Sequence, residues 1–331
     1  GYPGSTPTRR APNGIPSSIF TGKYEDMLIY TLKRLGLAVL VTLTVSMISF
    51  MLTRVSGDPA IALAGEGASQ EEIEFVRTQY GFDRPLMVQY VEWIGRALRG
   101  DLGESPYLNQ PVTDMIRERI GVTMTLGVCA LMFAIILAIP LGILAAIRPN
   151  TWIDRTALSL SVLGQAMPSF WFGLIMIIFF GVMLRWLPIS GSDTPLHFVM
   201  PTIALGYYAT PAFMRLTRSG MMEVLASDHI RTARAKGLKW GKILFKHALR
   251  NAIIPVVALA AVQLGFMLGG SFIIESVFAL HGIGYLALVS IERSDLPVVQ
   301  ALVLLLAMIY VVLTFLGDIL NAFLDPRIRV R

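Results

Sequence analysis

Six long stretches of the chain contain no charged residue, and they dominate its pattern of hydrophobic and polar positions. They are Leu35–Thr53, Ile120–Ile147, Thr156–Leu184, Thr194–Met214, Asn251–Ile274 and Leu296–Gly317. Each is close to or above the roughly 20 helical residues needed to cross a hydrocarbon core. The stretches lack the strict alternation of barrel strands, and backbone groups in lipid must be bonded within their own segment. The pattern therefore predicts an all-α integral membrane protein with six transmembrane helices.

The composition agrees with a membrane assignment. Apolar residues make up 54% of the chain and charged residues 15%, against roughly 45–50% and 25% in ordinary globular domains. The formal net charge of +6 would by itself be compatible with a nucleic-acid partner. The basic residues follow the membrane topology instead, so no nucleic-acid binding is predicted.

Basic residues beside the six stretches predict their orientation, because cytoplasmic loops are enriched in Lys and Arg. Lys33 and Arg34 precede the first stretch, and the loop 215–250 carries nine basic residues against two acidic ones. The segment 55–119 on the opposite side has no lysine and includes the acidic residues Glu71, Glu72, Glu74, Asp83, Asp101 and Glu104. Both termini are therefore predicted to be cytoplasmic, in a multi-pass membrane protein.

The same pattern divides the chain into segments. Residues 1–26 are rich in Pro, Gly, Ser and Thr and are predicted to be a disordered extension or an expression remnant, with Met27 as the natural start. The expected segments that follow are the first transmembrane helix at 27–54, a small helical cap at 55–119, a core transmembrane domain at 120–326 that contains the cytoplasmic loop 215–250, and a tail at 327–331.

Catalytic chemistry is absent from the sequence. The four histidines form no H-x-x-x-H pair, and the segment Gly237–Ile243 lacks the spacing and the hydroxyl of a phosphate-binding loop. No enzyme activity, metal site or cofactor is therefore expected in this chain. The single cysteine, Cys129, is expected to be a small packing residue.

Ionisable residues deep in a span are typical of secondary transporters. Asp318 is read as the exception among the six stretches, with Asp325 seven residues further on. A carboxylate paired near the membrane interface is the favoured interpretation of Asp318, and proton coupling is the alternative.

The cytoplasmic loop predicts a helix, a turn and a second helix. Ser227 or Asp228 can cap a helix start, Ala233 and Ala235 favour its middle, and Gly237 suits the left-handed position that ends it. A second helix is predicted from about Trp240 to Arg250. Three interpretations remain for this loop: positive charge required by topology alone, binding of anionic lipid, and docking into a groove of a partner protein.

The loop resembles the cytoplasmic loop between late spans in permeases of ATP-binding-cassette (ABC) importers. Their general pattern is E-A-A, three residues, Gly, nine residues, and I-x-L-P. Arg231, Thr232 and Ala233 occupy the first three places, Gly237 the glycine, and His247–Arg250 the last four. The Glu and Pro of that pattern are missing, and this departure is similar to the peptide branch of the superfamily, which has a later proline, here Pro255.

Other landmarks extend the resemblance from about Met27 to the end of the chain. They are Gly57-Asp58-Pro59, Gly100-Asp101-Leu102-Gly103 with Ser105, Met167-Pro168-Ser169 with Trp171, and Asp325-Pro326-Arg327. His281-Gly282 departs from the usual Pro-Gly. The chain therefore resembles the B-type permease of the dipeptide, oligopeptide and nickel family of bacterial ABC importers, because it has the long insertion after the first span.

The resemblance implies a type I ABC importer permease fold and a set of partners. These are a second homologous permease, two ATPase subunits that bind ATP and Mg, and a periplasmic or lipid-anchored substrate-binding protein. It also implies an ATPase-coupling role for Ser227, Asp228, Arg231, Thr232, Ala233, Arg234, Ala235, Lys236, Gly237, Leu238, His247, Arg250 and Asn251. Dipeptides or short oligopeptides are the expected substrates, with nickel, opines or glutathione as alternatives.

Polar and small residues within the spans give further candidates. Polar side chains there are expected to face a pathway or a helix contact, which selects Gln165, Ser169, Tyr207, Tyr208, Gln263 and Ser271. A small-residue face for close helix approach is predicted at Gly265, Gly269 and Gly270. Apolar and aromatic residues also recur at helical intervals in the cap, at Ile73, Val76, Tyr80, Leu86, Tyr90 and Trp93. They are expected to form mainly the cap's own core, and contact with the binding protein is the alternative interpretation.

Overall fold

A computed structural model describes residues 17–55, 57–65 and 67–324. Among these residues, four helices are long and apolar enough to cross a membrane: Ile29–Val55 at the end of α1 (Ser17–Val55), α5 (Val112–Ile147), α12 (Ile254–Val277) and Leu296–Ala322 within α14 (Leu296–Leu324). They correspond to the first, second, fifth and sixth predicted spans.

The third predicted span is interrupted. It consists of α6 (Trp152–Ala166), α7 (Ser169–Met176) and a π-helix at Ile177–Met183. The interruption lies at Pro168, which has no N–H to donate and forces Met167 into an extended backbone. The fourth predicted span lies in α8 (Val199–Leu225), which is 27 residues long but less apolar because it also carries arginines and hydroxyl residues. The helices are consistent with six spans, and the count of six stays a prediction.

α1 begins earlier than expected. Its backbone is helical from Ser17, so residues 17–26 are part of a helix although their composition predicts disorder. Once a helix has formed, each added residue gains a hydrogen bond at little further cost, and no proline follows Pro16 in this segment. The predictions for residues 1–16 and 325–331 lie outside the described residues.

The outer cap contains a β-hairpin as well as helices. Its elements are α2 (Pro59–Ala64), α3 (Gln70–Gln79), α4 (Leu86–Ala97), and the paired strands β1 (Glu104–Ser105) and β2 (Gln110–Pro111). Asp58 caps α2 by accepting from the Ala60 N–H at 2.9 Å, and Ser69 and Glu72 form a capping box on α3.

The expected core of the cap is wrong in its main members. Tyr90 and Trp93 pack on Phe50 of α1, with ring centroids 5.6 and 5.9 Å away, while Tyr80 and Leu86 are exposed. A cap of this size buries little surface by itself. Its aromatic side chains therefore use the membrane helix as their packing partner.

The main core lies where α5 packs along α8, with α12 beside both. Ala130, Ala134 and Ala138 of α5 are fully buried at intervals of four. A Cβ added to Gly206 of α8 would meet the Ala130 carbonyl oxygen at 2.5 Å. Small residues thus allow close helix approach, and this α5 face was missed in the sequence.

The two ends of the bundle, called cytoplasmic and outer after their predicted orientation, are completed by shorter helices. At the cytoplasmic end these are α9 (Asp228–Ala235), α10 (Trp240–Lys242), a π-helix at Ile243–Ala248, and α11 (Leu249–Ala252). At the outer end, a 3₁₀ turn at Pro195–Phe198 precedes α8, and α13 (Ile283–Glu292) lies between α12 and α14. Between α1 and α14, Arg34 and Asp318 form an ion pair at 3.0 Å, which agrees with the paired interpretation of Asp318.

Candidate functional site

α9 is an amphipathic helix seated on the cytoplasmic end of the bundle. Ile230 and Ala233 are buried in a cluster with Ile143 of α5, Met221 of α8 and Ile243 of the following π-helix. The remaining side chains of α9 are exposed. The helix therefore has one face in contact with two long helices and another available to a partner.

Ser227 begins α9 without capping it through its side chain. It occupies the N-cap position with an extended backbone, but its hydroxyl donates to the Val224 carbonyl oxygen at 2.5 Å and lies 2.9 Å from Nδ1 of His229. The expected side-chain cap is therefore wrong. The hydroxyl is directed towards the end of α8 and accepts no hydrogen bond from the first N–H groups of α9.

Gly237 ends α9 in the left-handed conformation predicted for it, with φ of +71°. The Gly237 N–H donates to Arg234 at 2.9 Å and the Leu238 N–H to Ala233 at 3.3 Å, which is the Schellman arrangement. A Cβ added at Gly237 would meet no atom within 4 Å. The requirement for glycine is therefore conformational rather than steric.

The second predicted helix is divided. α10 continues into the π-helix and α11, which ends at Ala252 rather than at Arg250. Ile243, Leu244 and Ala248 are buried underneath, while His247 is half-buried and Arg250 and Asn251 are exposed. The Arg234 guanidinium lies 5.0 Å from the centre of the Trp240 ring, which links α9 to this segment.

The exposed face of the loop is strongly basic. Arg231 pairs with Asp228 at 3.3 Å, yet both side chains are largely solvated, at 80% and 92%, so the pair contributes little to stability. The exposed residues of the predicted coupling set are Asp228, Arg231, Thr232, Arg234, Ala235, Lys236, Gly237, Arg250 and Asn251. This surface can present hydrogen-bond donors to a partner without first breaking buried bonds.

Asp154 and Arg218 form a buried ion pair that sequence reasoning missed. Asp154 lies just before the predicted third span and is 2% exposed. Its carboxylate accepts two hydrogen bonds from Arg218 of α8, both at 2.7 Å, and one from the Asn150 N–H at 2.9 Å. The bonded Arg218 guanidinium holds the pKa of Asp154 below its usual value. The pair ties α6 to α8 next to α9.

The six residues predicted to line a pathway do not form one group. Gln165 and Tyr208 are exposed, Ser169 and Gln263 are half-buried, and Tyr207 donates to the Leu160 carbonyl oxygen. Ser271 is fully buried and lies at a helix contact. Its hydroxyl lies 2.8 Å from the Leu268 carbonyl oxygen and 2.9 Å from Glu275 Oε1, because a buried hydroxyl needs a partner inside the helix bundle.

The predicted small-residue face divides in the same way. A Cβ added to Gly265 would meet the Tyr310 ring of α14 at 2.8 Å, whereas one added at Gly269 or Gly270 would meet nothing within 4 Å. Gly265 therefore allows a close contact within this chain. Gly269 and Gly270 are exposed.

Glu275 is an ionisable residue inside α12, so the interpretation of Asp318 as the exception among the spans is wrong. The Glu275 side chain is fully buried. Oε1 accepts from the Thr123 hydroxyl of α5 at 2.8 Å, and Oε2 accepts from the Tyr285 N–H of α13 at 3.1 Å. Thr123 in turn accepts from the Ile283 N–H at 2.8 Å.

These bonds join three helices at the outer end of the bundle. The carboxylate accepts from N–H groups in the first turn of α13 that would otherwise be unpaired, and so replaces a local cap. We call Thr123, Ser271, Glu275 and the 282–285 backbone the outer knot. Glu275 directly follows the fifth charge-free stretch. The charge at this position was the feature of the sequence that could have identified Glu275 as a functional candidate.

The fold and the basic cytoplasmic helix define the class of protein. The sequence matches the family of binding-protein-dependent transport system inner membrane components over residues 138–330, and the N-terminal region of such membrane components over residues 27–127. The chain belongs to this family and is a permease of the peptide, oligopeptide and nickel type of ABC importers. It is thus a multi-pass inner-membrane transport component rather than an enzyme.

The chain is similar to particular permeases over almost its whole length. It is 40% identical to the glutathione transport system permease protein GsiC of Pectobacterium atrosepticum over 306 residues, which are 92% of this chain and 100% of that protein. The GsiC of Escherichia coli is 39% identical over the same length.

A solved structure supports the fold. An inward-facing methionine ABC transporter, MetNI, has a chain that superposes with a TM-score of 0.53 and 21% identity, covering 64% of this chain and 96% of that chain. At this identity the similarity establishes the fold alone, and it is the type I ABC importer permease fold.

Proposed function

We propose that this chain forms one half of the translocation pathway of an ATP-driven importer for short peptides, with glutathione as the favoured substrate. The observation that carries the coupling role is α9, whose underside is buried against α5 and α8 while its basic face is exposed. Support for glutathione comes from the permeases of that name, with which the chain shares 40% identity at full coverage. Dipeptides and longer peptides share amide groups and charged ends with glutathione, although the first amide of glutathione is formed through the γ-carboxyl of glutamate.

Coupling follows from the rigidity of the α9 contacts. A partner ATPase that binds α9 and moves during its ATP cycle would displace Ile230 and Ala233 together with the packed ends of α5 and α8. The buried Asp154–Arg218 pair would make α6 move with α8. The expected result is rigid-body rocking that exposes the pathway alternately to each side.

The assembly has two permeases, two ATPases that bind ATP and Mg, and a soluble or lipid-anchored binding protein that delivers substrate. The exposed Gly269 and Gly270 offer a surface for the second permease, since small residues favour close helix contact. The binding protein approaches from the side of the 57–119 segment.

The orientation is tested by labelling single cysteines in intact cells with an impermeant reagent, after replacement of Cys129. A cysteine at position 72 should react and one at position 239 should not, because acidic and basic loops are separated across the membrane. Labelling at 239 but not at 72 would reverse the proposed topology.

The substrate is tested in a reconstituted complex with its binding protein. Glutathione should stimulate ATP hydrolysis and uptake at lower concentration than a dipeptide, an opine or Ni²⁺. If a dipeptide is preferred, the peptide proposal stands and glutathione is rejected, whereas a preference for Ni²⁺ or an opine would reject both.

A proton-coupled carrier is the alternative from a different class. Asp318 or Glu275 would be its relay. Asp318 is paired with Arg34 at 3.0 Å, and Glu275 accepts from the Thr123 hydroxyl and the Tyr285 N–H. Uptake should therefore survive an uncoupler while ATP is held constant. Substrate movement by the chain alone, driven by an imposed pH gradient in vesicles, would overturn ATP coupling.

A further inference from the structure

A cavity of about 1010 Å³ lies between the cap and the outer ends of α1 and α14. Its walls include Arg54 of α1, Gln300 of α14, and Phe82, Val91 and Trp93 of the cap. The cavity therefore combines cationic and amide donors with apolar and aromatic surface. No role for it follows from the coupling helix or the outer knot.

Arg54 is held in a defined position at this cavity. Its guanidinium carbon lies 4.9 Å from the centre of the Phe50 ring and 4.8 Å from that of Phe82, so two aromatic faces stabilise the charge. Its Nε is buried and has no hydrogen-bond acceptor among the described residues. The carboxylate of Asp58 attracts Arg54 but is itself bonded to Arg77 at 2.6 Å, so a ligand that brings an anionic oxygen can still bind to Arg54.

Gln300 offers a second donor from the neighbouring helix. Its Oε1 accepts from the Thr53 hydroxyl at 3.4 Å, which orients the amide, while its Nε2 is buried without an acceptor in the described part of the chain. Buried polar groups in proteins are nearly always paired. Both residues line one cavity, and small side-chain rotations would present these two donors, on adjacent spans, to an anion inside it.

The other charged groups of the cavity limit the kind of anion. Arg84 is engaged by Glu92 at 2.7 Å, Arg96 and Arg99 are exposed, and the lining also includes the exposed carboxylates of Asp101 and Glu104. Acidic groups near the donors oppose a ligand that is anionic throughout. They suit a phosphate diester whose other end carries hydroxyl or ammonium groups.

The surroundings favour an amphiphile. Leu52 and Val55 are exposed at the end of the α1 span, at 58% and 86%. Met87 and Val91 of the amphipathic helix α4, and Leu98 just after it, are also exposed. An amphipathic helix with an exposed apolar face at the end of a span is typical of the membrane interface. Lipid can thus reach the cavity without crossing water.

We propose that this cavity binds a phospholipid headgroup, with its phosphate on Arg54 and Gln300 and its acyl chains along the exposed residues of α1 and α4. The lipid would hold the cap against α1 and α14 during transport. This site is independent of the transported substrate.

The test uses the full complex, with its partner subunits, in nanodiscs that contain a photoactivatable phosphatidylglycerol. Crosslinks should map to α4. Arg54→Gln should lower the crosslinked fraction about tenfold, which is the loss expected for a charge-assisted hydrogen bond, and Gln300→Met should lower it in the same direction. Arg119→Gln is the matched control, since Arg119 pairs with Glu118 on α5 and does not line the cavity, and it should leave crosslinking unchanged.

Gln300→Met keeps the test valid if Arg54→Gln fails to assemble. Crosslinking that is equal in wild type and both cavity variants overturns the site. Two competitors distinguish a lipid from a free anion: glycerol phosphate, which has no acyl chains, and a short-chain phosphatidylglycerol. If both displace the photolipid equally well, the site binds a free anion rather than a lipid. Displacement by the binding protein, with crosslinks from that protein to α4, would identify a protein interface and also overturn the proposal.

Discussion

The two ends of the helical bundle are shaped by contacts of very different range. At the cytoplasmic end, the turn at Gly237 is closed by hydrogen bonds between residues three and five positions apart. At the outer end, the Thr123 hydroxyl donates to Glu275, 152 positions further along the chain. The Ser105 hydroxyl likewise donates to Asp295, 190 positions further along. The cytoplasmic turn is thus a local structure, while the outer end exists only in the assembled bundle.

This difference predicts different consequences of mutation. A local turn can be disturbed with little loss of global stability, because few other contacts depend on it. A bond that joins distant helices contributes to the stability of the whole bundle. The cytoplasmic loop should therefore yield variants that fold but do not couple, and the outer knot variants that are less stable.

The largest loss of stability is expected from a change at Asp154. Its pair with Arg218 joins distant residues near the cytoplasmic end, so this loss would show that the cytoplasmic end is not held by local contacts alone. Asp154→Ala removes the partner of Arg218, whose side chain is 23% exposed, so the cost should lie at the lower end of the about 3–5 kcal/mol known for fully buried pairs. The fall should appear as a lower Tm of the purified complex. Arg231→Ala, which breaks an exposed pair, is the control and should change the Tm little.

The same pair predicts a pH dependence. Because Arg218 lowers the folded-state pKa of Asp154, the stabilisation is complete above the unfolded-state pKa of about 4 and is lost as pH falls through the lower folded value. The Tm difference between wild type and Asp154→Asn should be constant from about pH 7 to 5 and close only below about pH 4. A difference that disappears already near neutral pH would contradict this assignment.

The outer knot is tested at Glu275. Glu275→Ala leaves the Thr123 hydroxyl and the Tyr285 N–H without their acceptor, which should cost about 1–3 kcal/mol for a buried unpaired group. Glu275→Gln retains one acceptor and should cost less. If the alanine variant has the wild-type Tm, the knot does not contribute to stability and the comparison fails at this end.

The glycine face of α12 provides an effect of similar size. Gly265→Ala should destabilise the chain by about 1–3 kcal/mol, as expected for overpacking, because its Cβ would meet Tyr310. The Cβ of Gly269→Ala would meet no atom of the described residues within 4 Å, so this variant is the matched control for stability of the isolated permease. If Gly269→Ala weakens assembly with the second permease while Gly265→Ala does not, the division between the two contacts is supported.

The smallest effect on stability and the clearest effect on function are expected at Gly237. Gly237→Val should cost roughly 1 kcal/mol or more in the left-handed region and redirect the chain after α9. Arg234→Glu places a carboxylate on the exposed basic face. Both variants should insert normally and lose ATPase association or substrate-stimulated hydrolysis, measured by co-purification and phosphate release.

A lipid-binding role for the loop predicts a different result. It requires a graded loss with each neighbouring charge and little effect of Gly237. Full coupling in Gly237→Val, together with loss of coupling after neutralisation of any two lysines, would reject docking.

Local signals account for what could be predicted at the candidate site. Gly237 was found because a left-handed turn after an alanine-containing helix needs glycine, and α9 was found from the same few residues. Its coupling role stays a prediction. Ser227 was misread because its acceptor, the Val224 carbonyl oxygen, belongs to the preceding helix end.

The sequence by itself determined the membrane class, the apolar helices and the cytoplasmic helix and turn, because hydrophobicity and backbone preference act over a few neighbouring residues. Only the tertiary structure decided that Glu275 joins α5 to α13, that Asp154 pairs with Arg218 and that Ser271 is buried. These contacts depend on which distant residues the helix packing brings together, and a carboxylate in a sequence carries no mark of its partner.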